Sequence, residues 1–217
     1  MENLQFNKKE ITVYSSYPET QKGPAILVLH AWWGLNDFIK QLSDRLAHQG
    51  YFVVAPDLYS GKIAHTIPEA EEYVETVDYG EVQSILKKLV DKILDDEHSA
   101  SDNIAVMGFS LGASFASQLA NNLPEKINKT VIFYGTGTTE FSQTKASFLC
   151  HFAENDPYEE PQYVKMYLDS LKENGVNVAS YVYPGTHHWF FETDKKEYYK
   201  EEASILAWKR TLEFLQK

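Results

Sequence analysis

The fold of this chain is decided by the stretch Asn103-Ile104-Ala105-Val106-Met107-Gly108-Phe109-Ser110-Leu111-Gly112. Its first five residues form the apolar run that is typical of a buried parallel strand, and the small, helix-prone residues 113–120 follow the second glycine. A strand, a Gly-x-Ser-x-Gly turn and a helix in that order are typical of a nucleophile elbow. The two glycines leave space that a side chain would fill against a neighbouring strand or helix. The pattern predicts Ser110 as a candidate nucleophile; the alternative is an ordinary turn bounded by glycines.

The composition is that of an ordinary globular protein with an acidic surface. The chain has 217 residues, 43% of them hydrophobic and 24% charged, with a net charge of −11. We therefore predict one domain over residues 1–217 and no binding of nucleic acid, because few cations are present to neutralise phosphates. The single cysteine, Cys150, allows no intramolecular disulfide. With no signal-peptide core and no membrane span evident, we expect a cytoplasmic protein that binds no membrane.

Short apolar runs alternate with helical patterns along the chain, which predicts an α/β protein with a mostly parallel sheet and helices on both faces. We predict strands at residues 11–14, 25–30, 51–56, 103–107, 129–134, 147–152 and 176–183, with the first at an edge. We predict helices at residues 37–48, 81–94, 161–173 and 201–216, in addition to the helix after Ser110. The polar, irregular residues 61–80 are interpreted as a partly mobile flap over a site. Ligands of such sheets bind at the carboxyl ends of the strands, where Ser110 lies.

A reactive serine needs a base to take its proton and an acid to orient that base. In this topology the acid follows a later strand, and the loop after residues 147–152 offers Glu154, Asp156, Glu159 and Glu160. Asp156 is preferred because it lies at a turn, where the following proline favours an extended conformation. Glu159 and Glu160 are interpreted as ordinary acids of a helix's first turn.

The base is expected in the loop after the last predicted strand, which contains His187 and His188. These are the only two of the seven histidines that follow the acid in the required order. The spacing alone does not separate them, and an exposed loop histidine without a catalytic role is the alternative for each.

Five segments resemble the dienelactone hydrolase family of α/β-hydrolases, in the family's order: residues 31–36 (AWWGLN), 55–59 (APDLY), 108–112 (GFSLG), 152–157 (FAENDP) and 183–190 (YPGTHHWF). Together they span nearly the whole chain. The resemblance implies an α/β-hydrolase fold that is compact and has no large lid domain. It also implies Asp156 as the acid and His188 as the base, because the family's histidine usually precedes a small residue and a phenylalanine.

Backbone amides are expected to stabilise the negative charge that acyl transfer places on a substrate oxygen. One amide should be that of Leu111, at the start of the elbow helix. The resemblance implies Trp32 as the second donor. We expect the substrate pocket to be aromatic, although core or surface positions are the alternative for each member: Trp33, Tyr59, Tyr134, Tyr158 and Trp189.

The chain departs from the family at three positions. Ser110 stands where the founding members have cysteine, and Ala31 stands where a glutamate is common. Without that glutamate nothing competes with His188 for the proton of the nucleophile. Glu192 stands where the family's hydrolases of dienelactone place an arginine, and no arginine lies between residues 45 and 210. A neutral or apolar ester is therefore favoured over an anionic substrate.

The sequence thus predicts a serine hydrolase of small carboxylic esters or lactones that works through an acyl-enzyme, with no cofactor and no metal, as a monomer or small homo-oligomer. A thioesterase or a peptidase would use the same residues. A non-catalytic binder of small molecules that retains the fold is a further alternative. A metal site at His187, His188 and Glu192 has none of the usual ligand spacings.

Overall fold

An eight-stranded, mostly parallel sheet runs through the chain in a computed structural model that describes residues 1–6, 9–138 and 140–217. The strand order is β1-β2-β4-β3-β5-β6-β7-β8, with β1 and β2 antiparallel to their neighbours. The strands are β1 Glu2–Phe6, β2 Lys9–Ser16, β3 Ala25–Leu29, β4 Phe52–Pro56, β5 Ile104–Phe109, β6 Ile127–Phe133, β7 Ser147–Asn155 and β8 Val178–His187. The helices are α1 Asp37–Ala47, α2 Ile67–Glu75, α3 Tyr79–Leu94, α4 Leu111–Asn122, α5 Pro161–Glu173 and α6 Glu201–Leu215.

The sheet is buried on both faces at its centre, where β3 and β5 have no exposed residue. Successive side chains of a strand point to opposite faces, so one apolar strand serves two cores. Leu27 and Leu29 of β3 belong to the core that α3, α4 and α5 cover, whereas Ile26 and Val28 belong to the core that α1 and α6 cover on the other face. The predicted α/β-hydrolase architecture, with helices on both faces of a mostly parallel sheet, is confirmed.

Two predictions about the elements are wrong. The strand predicted at residues 11–14 does not lie at the edge, because β1 pairs with β2 and takes that position. Residues 61–80 are not irregular, because they contain α2 and the start of α3. Thr66 and Glu69 form a capping box at the start of α2, a signal that was present in the sequence.

The parallel register brings the carboxyl ends of five strands to one edge of the sheet. Leu29 of β3 pairs with Gly108 of β5, and Phe133 of β6 pairs with His151 of β7. The segments that follow β3, β5, β6, β7 and β8 therefore lie side by side, and they carry the residues singled out in the sequence. The described residues contain no helix that is both long and apolar enough to cross a membrane.

Candidate active site

The turn at Ser110 has the strained backbone expected of a nucleophile elbow. Ser110 joins β5 to α4 with φ +48° and ψ −112°, a conformation that few non-glycine residues adopt. A Cβ atom added at Gly108 would collide with the carbonyl oxygen of Gly112, and one added at Gly112 would collide with the carbonyl oxygen of Leu29. Only glycine fits at either position, so these contacts hold Ser110 at the end of β5.

A chain of two hydrogen bonds joins Ser110, His188 and Asp156. The Ser110 hydroxyl lies 2.9 Å from Nε2 of His188, and Nδ1 of His188 lies 2.7 Å from Oδ2 of Asp156. The side chains of His188 and Asp156 are only 2% and 3% exposed. With the ring proton on Nδ1 donated to the carboxylate, Nε2 is free to accept the serine proton.

The two loops that carry His188 and Asp156 are fixed by further hydrogen bonds. Oδ1 of Asp156 accepts the amides of Tyr158 and Glu159 at 2.9 and 3.1 Å, which leaves Oδ2 directed at the imidazole. The carboxylate of Glu154 accepts the amide of Gly185 at 2.8 Å and ties the end of β7 to β8.

His187 is placed differently from its neighbour. Its side chain is exposed, and its Nδ1 atom lies 3.0 Å from the carbonyl oxygen of Asn155 rather than near Ser110. Of the two histidines that sequence spacing left open, the structure brings His188 to the candidate nucleophile.

Glu159 is a member of the site that sequence reasoning missed. Its carboxylate accepts the amide of Thr136 at 3.1 Å and the Thr136 hydroxyl at 2.7 Å, and burial raises the pKa of the carboxyl to about 7. The preceding residue, Gly135, packs directly against the backbone of Ser110. Glu159 is therefore not an ordinary first-turn acid, because it ties the loop of Asp156 to the loop that touches the elbow. No local sequence signal distinguishes it from Glu160.

The two residues expected to supply the amides of an oxyanion hole follow β5 and β3, which are neighbouring strands. Leu111 is the first residue of α4, and the first amides of a helix have no partner within that helix. Trp32 lies in the turn after β3, and β3 is the strand that pairs with β5. Both positions suit the role that the sequence predicts for them.

Four aromatic side chains form a cluster beside His188, which we call the aromatic cluster: Trp32, Trp33, Tyr158 and Trp189. The ring centroids of Trp32 and Trp33 lie 5.8 and 5.1 Å from that of Trp189, and the Tyr158 ring lies 5.0 Å from the imidazole. The three indole N–H groups are buried without a hydrogen-bond partner among the described residues. Trp33 and Trp189 are only 4% and 1% exposed, so they back the cluster from the core, and Trp32 and Tyr158 are the members with exposed ring surface.

The other two predicted pocket residues lie elsewhere. Tyr134 is fully buried; its ring packs 5.0 Å from His188 and its hydroxyl donates to Glu192 at 2.8 Å. It supports the imidazole from within the core. The Tyr59 ring contacts His30 rather than the aromatic cluster and lines a separate cavity of about 280 Å³.

The family model for dienelactone hydrolases matches residues 11–217. The chain belongs to the dienelactone hydrolase family. It is 28% identical to "Protein usf" of Aquifex pyrophilus and 28% identical to "Putative carboxymethylenebutenolidase" of Aquifex aeolicus, in each case over 98% of this chain and 96% of that protein. The solved structure titled "Putative Dienelactone Hydrolase" from Klebsiella pneumoniae has a TM-score of 0.87 at 22% identity, covering 97% of this chain and 95% of that chain. That last likeness is one of fold.

Glu192, which stands where other members of the dienelactone hydrolase family are expected to have an arginine, is a buried acid. It is 1% exposed, and burial, together with the nearby charge of Asp194, raises the pKa of its carboxyl to about 8. At neutral pH it is mostly protonated and therefore uncharged. The site thus contains neither the arginine nor a fixed negative charge at this position.

Lys195 is a cation near the aromatic cluster that sequence reasoning did not single out. Its ammonium group lies 3.7 Å from the ring centroid of Trp33 and 3.4 Å from the carboxylate of Asp194. Both contacts engage the charge of Lys195 with groups of this chain. Residues 192–195 form a short turn, and a sequence alone does not show which side of it faces Trp33.

Proposed function

We propose that this member of the dienelactone hydrolase family hydrolyses small carboxylic esters or lactones through an acyl-enzyme on Ser110. The observation that carries the proposal is the hydrogen-bond chain from Ser110 to His188 to Asp156, with distances of 2.9 and 2.7 Å. Such a chain is the arrangement that turns a weakly nucleophilic hydroxyl into a reactive one.

In the first half of the reaction the Ser110 oxygen attacks the substrate carbonyl carbon while Nε2 of His188 takes the hydroxyl proton. Asp156 stabilises the imidazolium that forms. The amides of Leu111 and Trp32 stabilise the oxyanion, at about 3–4 kcal/mol for each well-placed donor. Collapse of this intermediate transfers the proton from His188 to the leaving alcohol and leaves the acyl group on Ser110.

In the second half a water molecule replaces the alcohol. His188 takes a proton from the water, which attacks the acyl carbon, and the imidazolium then returns that proton to Ser110. A lactone follows the same course, except that its alcohol stays attached to the acyl group until the product leaves. Each step uses only side chains, amides and water, so we expect the reaction to need neither metal nor cofactor.

The substrate class follows from the surroundings of Ser110. The partly exposed members of the aromatic cluster, Trp32 and Tyr158, offer ring surface beside His188. Glu192 is mostly protonated at neutral pH, because burial raises its pKa to about 8, and Lys195 is paired with Asp194. We therefore expect small neutral esters or lactones to be better substrates than anionic ones. The name carboxymethylenebutenolidase carried by a relative agrees with a lactone.

The base assignment is tested by comparing two adjacent histidines. In His188→Ala we expect hydrolysis of short p-nitrophenyl esters to fall on the order of 10⁴-fold or more, because the serine proton has no acceptor. His187→Ala is the matched control and should retain nearly full activity, since its ring is exposed and lies against the carbonyl oxygen of Asn155 instead of Ser110. The opposite result would identify His187 as the base.

The same assay separates the ester and lactone activity from related chemistry. A panel of acyl esters, lactones, thioesters and peptides of equal acyl size should give the highest kcat/KM with the first two. A preference for thioesters or peptides would be compatible with the roles of Ser110, His188 and Asp156, but the protein would then be a thioesterase or a peptidase. Absence of turnover across the panel in folded protein would favour a non-catalytic binder.

A further inference from the structure

The last strand of the sheet, β8, leaves one side unpaired. β8 lies at the end of the strand order and pairs in parallel with β7, through residues from Val178 to His187. Among the described residues no strand pairs with its other side. The N–H and C=O groups on that side are therefore available to a further strand.

The register identifies which groups point outward. In a parallel strand the N–H and C=O of one residue point to the same side, and successive residues alternate. The carbonyl of Asn177 accepts the amide of Phe148 in β7 at 2.8 Å, so Asn177 faces inward. Every second residue after Asn177 also faces β7. The residues that face outward between them are Val178, Ser180 and Val182.

This edge lacks the features that normally prevent strands from associating. Residues 178–187 contain no charged Lys, Arg, Asp or Glu side chain, and the first proline is at position 184. Val182 is 59% exposed and Tyr181 is 36% exposed. Edge strands that stay unpaired usually carry a lysine, an inward-pointing charge or an early proline. The opposite edge strand, β1, contains Glu2.

We infer that two copies of this chain form a two-fold dimer in which β8 pairs antiparallel with β8 of the second copy, centred on Ser180. Ser180 then lies opposite Ser180 of the second copy, and Val178 lies opposite Val182. Residues that oppose each other in this way exchange both of their backbone hydrogen bonds. Each outward-facing amide and carbonyl of these three residues thereby gains a partner, and the sheet continues across both copies.

A second copy suits this edge because its outward-facing residues, Val178, Ser180 and Val182, read Val-Ser-Val in both directions. The antiparallel register centred on Ser180 therefore places valine opposite valine on each side of the Ser180 pair. Beside β8, a groove of about 310 Å³ contains the apolar side chains of Val164, Leu168 and Val182. Such a groove supplies apolar surface next to the main-chain contacts.

The charges at this edge also allow a second copy to approach, although the chain has a net charge of −11. Lys165 forms an ion pair with Asp169 on the rim of the groove, and Lys172 adds a further cation. On the other face of β8 the guanidinium of Arg210 lies 3.7 Å from the ring centroid of Tyr181. Positive and negative side chains are thus both present at the contact. Two copies can therefore approach each other without a large patch of like charge on either side.

The dimer is tested by the mass of the protein in solution, measured by light scattering or sedimentation at micromolar and near-millimolar concentrations. We expect twice the chain mass of 24.9 kDa. Ser180→Pro should give a monomer, because it removes only an outward-facing donor and leaves the pairing with β7 intact. Val182→Lys should also give a monomer, because it places a charge at the contact. Gln5→Lys on the opposite edge is the matched control and should remain a dimer.

Hydrogen exchange then locates the contact. The amides of Val178, Ser180 and Val182 should exchange more slowly as the protein concentration rises, whereas those of Ala179 and Tyr181, which face β7, should not respond. A monomer at all concentrations would overturn the inference. So would a dimer that persists in both well-folded β8 variants, because its contact would lie elsewhere. Neither outcome bears on the proposed chemistry of Ser110.

Discussion

At the scale of single residues, burial decides the chemistry of Glu192. The carboxyl has no contact with bulk water and accepts a hydrogen bond from Tyr134, while Asp194 adds a like charge nearby. Its pKa rises from near 4.5 to about 8. The folded protein therefore holds a proton that the unfolded chain releases at neutral pH.

This difference makes the free energy of unfolding depend on pH. Below pH 4.5 the carboxyl of Glu192 is protonated in both states. Between 4.5 and 8 only the unfolded chain loses the proton, so raising the pH stabilises the unfolded state. The contribution is at most about 1.4 kcal/mol of lost stability per pH unit.

We predict that Glu192→Gln removes this contribution, because the amide keeps an acceptor for Tyr134 but does not titrate. Urea unfolding between about pH 5 and pH 7.5 should show stability falling less steeply in the variant than in the native protein. Glu197→Gln, at an exposed position of the same segment, is the control and should follow the native protein. If the stability of Glu192→Gln fell with rising pH as steeply as that of the native protein, Glu192 would ionise normally.

Sequence reasoning reached Ser110, Asp156 and His188 because chain order and a family motif constrain those positions. It did not predict the contacts of Glu159 or of Lys195. The role of each depends on which distant segment folds against it, Thr136 in one case and Trp33 in the other. Contacts of this kind leave no signal in the local sequence, since Glu159 and Glu160 are adjacent and chemically identical.

At the scale of elements, the loop that carries Asp156 is held to the end of β6 through Glu159. The two hydrogen bonds to Thr136 join this loop to the segment whose Gly135 packs against Ser110. Glu159 touches none of the reacting atoms, so it is a positioning residue.

Glu159→Ala should lower the unfolding free energy by about 1 kcal/mol or more, because the partly buried amide and hydroxyl of Thr136 lose their acceptor. We also expect kcat to fall about tenfold with KM nearly unchanged, since the loop of Asp156 is less well held while the aromatic cluster is intact. Urea unfolding and steady-state kinetics measure the two effects. Glu160→Ala should change neither, because Glu160 is exposed and its carboxylate accepts a hydrogen bond from the exposed Gln162.

Helices and strands were predicted well where a residue type marks the boundary of the element. Prediction failed where contacts with distant segments determine whether the element forms. Pro161 begins α5 at the predicted residue. β1 was missed because it is short and its first two residues are polar, and its pairing with β2 makes it a strand. The helix α2 was missed because its apolar residues are few, although the capping box at Thr66 and Glu69 was available.

At the scale of the whole molecule, alternating apolar runs and helical patterns were sufficient to predict a parallel sheet with helices on both faces. They did not give the strand order, since pairings such as β3 with β5 join residues far apart in the chain. They also did not show that β8 is an edge. That position depends on the complete set of pairings.

Covalent labelling tests whether the fold presents Ser110 as a nucleophile, as we propose. Incubation of the native protein with a fluorophosphonate, followed by intact mass and peptide mapping, should give one adduct, located on Ser110. Labelling should be absent in Ser110→Ala and greatly slowed in His188→Ala. An adduct at another residue, or ester hydrolysis that persists in Ser110→Ala, would contradict the account.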